Sequence, residues 1–339
     1  MRMVRYPFSR RSGLGPLPRL FEADLGSRAL RRLFASEDIP SDAGDPATPM
    51  PFTSLNELFN KATRLTGDPL FSLRVAAAMR PEDFGPAVEY ALSAATLGAA
   101  IRRMNRFVAL QTNAASVWLA VDGPTASWCL GYRDARGLRI EHHAIHVLLP
   151  MMAFLRRYAG HDMCRIVVEL ASGEAIPPRL VEGFIELPVR AGGDKFRLVF
   201  PTAWLGLARR HDAGSEVLSY RRMVSYYRSA PALPESMADT VVALLMPRLG
   251  DAALDIDAVA MRLGVSRRTL QLKLDAEGTT FRDLALRTRM AHAQRLLAAS
   301  REPISQVALA VGYSDQANFT RAFRHLTGAT PAEFRRHRQ

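Results

Sequence analysis

Apolar residues recur at helical spacing over Ile304, Val307, Ala308 and Val311, which predicts a short helix with Pro303 in its first turn and Gly312 as its stop. Beyond the turn Tyr313-Ser314-Asp315, the residues Phe319, Ala322, Phe323 and Leu326 form the inner face of a second helix that Gly328 ends. That spacing leaves Gln316, Asn318, Thr320, Arg321 and Arg324 pointing outward. Two short helices around a glycine turn, the second with a polar and basic outer face, form the helix-turn-helix arrangement that can lay a helix in a DNA major groove. Thr330-Pro331-Ala332-Glu333 has the form of a capping box, so a further short helix follows.

The same pattern occurs upstream. Ile256, Val259, Ala260 and Leu263 form an apolar face, Gly264 the stop and Ser266 the N-cap. Leu270 and Leu274 point inward on the next helix and expose Arg267, Arg268, Gln271 and Lys273. Ala260, Gly264 and Ser266 stand 48 residues before Ala308, Gly312 and Ser314, while Leu270 and Leu274 precede Phe319 and Phe323 by 49. The unit is therefore an internal repeat with a one-residue insertion in its second copy. Thr280 to Asp283 fits a capping box, and Leu286, Met290, Ala293 and Leu297 mark a helix of about four turns that holds the copies apart.

The amino-terminal two thirds mixes periods. Short helices are expected over Pro16–Phe34, a loop over Ser41–Pro51, and helices from Ser54 to Gly67, from Pro69 to Met79, from Pro86, and from the N-cap Thr96 to about Leu110. Ser116–Val121 and Thr125–Tyr132 flank Asp122-Gly123-Pro124 and read as a hairpin. A long helix over Leu138–Tyr158, a strand over Cys164–Leu170 and a brief helix or turn over Pro177–Gly183 follow, then a second hairpin of Val189–Arg190 with Lys195–Phe200 around Gly192-Gly193. Helices and antiparallel strands in blocks predict an α+β domain over 1–205. Residues 206–234, with Gly214, Ser215, Ser219 and Ser229, read as a partly helical, partly flexible linker. An all-α domain occupies 235–339, with helix-turn-helix units at about 256–275 and 304–326.

Charge sharpens the division. The formal charge of +12 is carried as +6 over residues 1–33, +1 over 34–250 and +5 over 251–339. Basic ends around a neutral middle suit a polyanionic partner, or a solvated basic surface. The two cysteines, Cys129 and Cys164, sit in apolar segments and read as buried free thiols in a reducing cytoplasm, not a disulfide scaffold. The longest apolar stretch, Ala144–Leu155, is about a dozen residues where a bilayer needs roughly 20, and the amino terminus has no signal-like apolar run, so a cytoplasmic chain without a membrane partner is expected.

Catalytic chemistry lacks residues to carry it: no Gly-x-Ser-x-Gly, P-loop or paired Cys-x-x-Cys occurs, so neither an enzyme nor a cofactor is expected. His142 and His146 are spaced as metal ligands on a helix, yet His143 stands where the zincin pattern needs glutamate and no acid cluster completes the set, so no metal site is expected. Trp118, Trp128, Met151, Met152 and Phe154 either line an apolar effector pocket with His146 as a polar handle or are plain core.

From Met237 to Arg336 the chain resembles the AraC/XylS family of bacterial transcription regulators. The likeness rests on Ile304, Ala308, Val311-Gly312-Tyr313, Phe319, Arg321, Phe323, Gly328, Thr330-Pro331 and Arg335. Leu17 to Trp204 is similar to the amino-terminal effector domain of one AraC subfamily, through Gly67-Asp68-Pro69-Leu70-Phe71, Tyr90-Ala91-Leu92, Thr96-Leu97-Gly98 and Phe200-Pro201. The resemblance implies promoter DNA as partner, with groove-facing positions on Arg267, Arg268 and Gln271 in the first copy and Gln316, Asn318 and Arg321 in the second, beside the basic Lys273 and Arg324. Leu272 departs from the family, where many relatives carry arginine. The resemblance further implies RNA polymerase as partner, activation more than repression, and a small-molecule effector among organic acids, fatty acids or amino-acid-related compounds. A homodimer through the amino-terminal half is compatible with it. The other readings are a constitutive regulator whose amino-terminal domain only dimerises, and a metal-dependent enzyme using His142, His143 and His146.

Overall fold

Residues 6–41, 44–133, 137–171, 176–209, 216–250 and 255–337 are described by the computed structural model. Over the described residues two units arise, one within 7–233 and one from 234 onward that takes in Tyr6.

The first unit is α+β. A two-stranded ribbon pairs β1 (Phe8–Arg10) with β2 (Pro49–Pro51), so the end of the expected loop is a strand. Helices α1 (Leu17–Leu25), α2 (Ser27–Ala35), α3 (Phe52–Thr66) and α4 (Phe71–Ala77) bury Phe21, Phe34, Leu55, Phe59 and Phe71 in one cluster. Next come α5 (Pro86–Leu92) and α6 (Leu97–Phe107), the latter capped by Thr96, whose hydroxyl accepts the Ala99 amide. The hairpin of β3 (Ala115–Asp122) and β4 (Thr125–Tyr132) forms as its pattern predicts, with Asp122 opposite Thr125. The long α7 (Glu141–Ala159) carries Pro150 internally and packs Ile145, Leu148 and Phe154 into the core that the sheet shares.

The rest of the sheet departs from expectation. After β5 (Val167–Ala171) and α8 (Pro178–Ile185), β6 (Val189–Gly193) pairs parallel with β5, and β7 (Phe196–Pro201) pairs antiparallel with β4 and β5. The order is β3-β4-β7-β5-β6, so the expected Gly192-Gly193 hairpin does not form: β5 lies between its two arms. Burial accounts for this. Phe196, Leu198 and Phe200 alternate inward on β7 and match the inward Val168 and Leu170 of β5, whereas Arg190 and Ala191 of β6 are exposed and suit an edge. Cys164 falls in a 3-10 turn before β5 and is exposed, a correction to its expected burial; Cys129 is buried. Within the expected linker, Glu216–Ser229 is a helix, α9, which packs on α5 through the Tyr90 and Tyr220 rings and an Arg222–Glu89 ion pair of 3.0 Å. It belongs to the first unit; Gly214 and Ser215 lie outside the described residues.

The second unit is helical throughout its described residues: α10 (Met237–Leu245), α11 (Ile256–Arg262), α12 (Arg267–Ala276), α13 (Phe281–Ala299), α14 (Ile304–Ala310), α15 (Gln316–Thr327) and α16 (Pro331–Arg336). Ser236, Asp255, Ser266, Thr280, Asp315 and Thr330 each cap the helix that follows by accepting an amide from its first turn. The central α13 presents Met290, Ala293 and Leu297 to Val307, Ala308, Val311, Phe319 and Phe323 of the second copy.

Candidate functional site

The second copy is set by its turn. Gly312 adopts φ +84°, and a Cβ there would stand 2.3 Å from the Leu249 carbonyl oxygen, so glycine is required for both backbone conformation and space. Tyr313 N–H returns to the Ala308 carbonyl at 2.9 Å, and the Asp315 carboxylate accepts the Ala317 and Asn318 amides at 3.0 and 3.2 Å. With Phe319 and Phe323 wholly buried, α15 can rotate no further, and Gln316, Asn318, Arg321 and Arg324 are all exposed. Leu326, expected on the inner face, is 41% exposed, because the core ends at Phe323. Arg321 Nη2 donates to Asn318 Oδ1, which braces the guanidinium against the helix one turn back. Ala317 and His325 are exposed on the same helix; neither shows in the sequence pattern, since alanine brings no hydrogen-bonding group and His325 lies beyond the first turns.

The first copy is built likewise and armed differently. Ser266 caps α12, Leu270 and Leu274 anchor it, and Arg267, Arg268 and Gln271 are exposed. Lys273 is half-buried at the flank, not fully outward. Arg267 Nη1 donates to the Asp257 carboxylate of α11 at 3.0 Å. Arg268, Leu272 and Asp275 are spaced along one face of the helix, with Leu272 57% exposed, so this copy offers a methyl-contacting side chain and an anion where the second offers Arg321 and Arg324. Arg282, from the start of α13, lines the same groove as Arg267, Arg268 and Gln271. Its contribution is invisible to helix periodicity, because it comes from a neighbouring element.

Chemically, each face combines groups of the types able to read base edges with groups able to hold phosphates. Arginine pairs bidentately with guanine, glutamine and asparagine with adenine, and an exposed leucine can meet a thymine methyl.

The first unit holds a cavity of about 100 Å³. Trp128, Met151 and Phe154 line it, together with Leu55, Phe84 and Val88. Trp118 does not: its ring packs over Gly131 and Lys195. Nor does His146, whose Nε2 donates to the Gly13 carbonyl at 2.9 Å and whose Nδ1 is buried without a partner. Its neighbour His143 is the histidine at the wall, with Nδ1 2.8 Å from Tyr132 Oη. Burial lowers the pKa of His146 to about 4 and that of His143 well below 6.5, the second further depressed by His146, so both rings are neutral at physiological pH. Among the described residues no group of three or more His, Cys, Asp or Glu side chains could hold a metal ion.

Two family models match the chain. One, a helix-turn-helix domain, covers residues 259–337; the other, the arabinose-binding domain of AraC transcription regulator, N-term, covers 28–208. The ornithine utilization regulator of Pseudomonas aeruginosa is 25% identical over 308 residues, 87% of this chain and 87% of its own. The HTH-type transcriptional regulator VirS of Mycobacterium tuberculosis is 25% identical over 276 residues, 79% of this chain and 78% of its own. Among solved structures, the transcriptional regulator CdpR of Pseudomonas aeruginosa is 23% identical, with 93% of this chain and 98% of that one covered at a TM-score of 0.41.

Proposed function

The chain belongs to the AraC family of transcription regulators, and from that premise we propose that it activates promoters to which both helix-turn-helix units bind, in response to a small molecule held in the amino-terminal cavity. The carrying observation is the repeat: two copies, each with a buried apolar face and an exposed polar face, separated by the single helix α13. Units so joined suit successive major-groove segments on one face of the duplex, about 34 Å apart. Arg267, Arg268, Gln271, Gln316, Asn318 and Arg321 are the proposed base-reading set. Lys273, Arg282 and Arg324 are the proposed phosphate contacts.

The effector acts by binding one of two arrangements of the chain more tightly, since a ligand with equal affinity for both shifts nothing. The same proposal includes contact with RNA polymerase, a homodimer through the amino-terminal unit, a cytoplasmic location and no catalytic activity. Among the described residues no helix is long and apolar enough to cross a membrane.

The test is the double variant Gln316→Ala with Arg321→Ala on a promoter fragment mapped by chromatin immunoprecipitation. Two lost bidentate contacts at about 1–3 kcal/mol each predict a drop in specific affinity of roughly a hundred-fold. Unchanged affinity for that fragment contradicts the assignment.

A further inference from the structure

The cavity of the first unit is selective in what it lacks. Its wall is apolar, drawn from Leu55, Phe84, Val117, Trp128, Met151 and Phe154, and among the described residues no charged side chain lines it. Arg10 stacks on the wall residue Tyr227 at 5.2 Å but does not itself line the space; its guanidinium donates to the carbonyls of Leu110, Ala47 and Pro231. Part of the wall polarity is already satisfied: Ser9 Oγ donates to Thr112 Oγ1, which donates to the Phe8 carbonyl.

Three wall groups keep unused hydrogen-bonding capacity. Gln111 Nε2 donates to Ser12 Oγ at 2.7 Å while its Oε1 is buried without a partner. Tyr227 Oη lies by the Ala87 amide, yet its own hydrogen has no acceptor. Tyr132 Oη lies 2.8 Å from His143 Nδ1, its one hydrogen-bond partner among the described residues; a phenol with no other acceptor donates there, which puts the hydrogen of the neutral His143 on Nε2. The wall therefore offers one acceptor and two donors, all neutral, in an apolar space. Transferring an unpaired carboxylate or ammonium into such a space is far more costly than transferring a hydroxyl that finds partners.

Resting on the sensor reading above, we propose that this cavity takes a small neutral ligand, an aromatic or branched aliphatic molecule bearing a hydroxyl, and excludes carboxylates and amines. An apolar cavity of roughly 150 Å³ accepts benzene, so about 100 Å³ sets a limit near one ring, and the flexible Met104 and Met151 in the wall give way to admit a short substituent. The hydroxyl donates to Gln111 Oε1 and accepts from Tyr227 Oη or His143 Nε2.

The test uses the full chain with benzyl alcohol, toluene and benzoate at pH 7.5, read by calorimetric titration and thermal shift. Benzyl alcohol binds at least about ten-fold tighter than benzoate, whose carboxylate finds no cation. Ala115→Phe, which fills the cavity from β3, removes that binding, and Gln111→Leu keeps toluene binding while the alcohol loses its advantage over toluene. Benzoate equal to or tighter than benzyl alcohol overturns the neutral class and leaves the sensor reading standing. Benzyl alcohol binding that persists undiminished in Ala115→Phe overturns the site. Failure of all three probes to bind a chain that still binds promoter DNA overturns the inference as well. The sensor reading fails on a different measurement, if promoter activation in cells is the same for wild type, Ala115→Phe and Gln111→Leu.

Discussion

In the proposed base-reading set Arg321 and Asn318 act as one element, because the amide oxygen of Asn318 holds the guanidinium in place before any DNA arrives. Lysine at 321 keeps the charge and loses the planar fork. Arg321→Lys is expected to leave affinity for unrelated DNA within about two-fold and to cost about 1–3 kcal/mol of discrimination, measured as the ratio of specific to nonspecific dissociation constants at one salt concentration. Beneath it, Phe319 is wholly buried against Tyr313 and Phe323, so Phe319→Ala is expected to destabilise the carboxy-terminal unit by about 3–5 kcal/mol in denaturant melts of the full chain. In the first unit the neutral His146 ties stability to pH. Its folded pKa, about 4, lies below its unfolded value, so its contribution is complete above about pH 6.5 and is lost as pH falls toward 4. Between pH 7 and 5 that amounts to about 2 kcal/mol, and His146→Gln, which keeps a donor for the Gly13 carbonyl, is expected to flatten the dependence by that amount. An equally steep pH dependence in the variant counts against the burial argument.

At the scale of elements, the two copies share a plan and differ in tolerance. Gly264 has φ +63° with nothing within 4 Å of where a Cβ would sit, whereas Gly312 faces the Leu249 carbonyl. Gly264→Ala should therefore cost about 1 kcal/mol, and Gly312→Ala clearly more, in thermal melts followed by circular dichroism. Periodicity made the repeat, the caps Ser266, Thr280 and Thr330 and every inward residue but Leu326 legible, because local rules govern each: a serine or threonine before an apolar stripe, a glycine after it; the sequence pattern does not single out Asp255 and Asp315, which cap α11 and α15. The β5-α8-β6 crossover was not legible, since the choice between pairing Lys195–Phe200 with Val189–Arg190 or with β5 depends on which strands are buried, a property of the assembled sheet. The residues 206–234 read as partly helical from sequence, but the extent of α9 and its packing on α5 are not legible there for the same reason: its charged, serine-bearing sequence gains that partner only in the fold. At the cavity, the sequence singled out Trp128, Met151 and Phe154 at the wall, but periodicity could not separate His143 from His146, which share one helix and differ in which neighbour, Tyr132 or Gly13, their nitrogens meet.

For the whole molecule, the charge of +5 over 251–339 supports the proposed phosphate binding, and Asp275 and Leu272 on α12 lead to the expectation that the first copy is the weaker reader. Binding should fall steeply with salt, and Arg324→Ala should lower the slope of log affinity against log salt by about 1 without altering sequence preference. Both copies are proposed to engage one face of the promoter together. Hydroxyl-radical footprinting of the full chain on a mapped promoter fragment reads this out most directly: two protected tracts about one helical turn apart are expected, with the first tract lost in Arg268→Ala combined with Gln271→Ala and the second in Gln316→Ala combined with Arg321→Ala. A single tract, unaffected by the changes in the first copy, would contradict it.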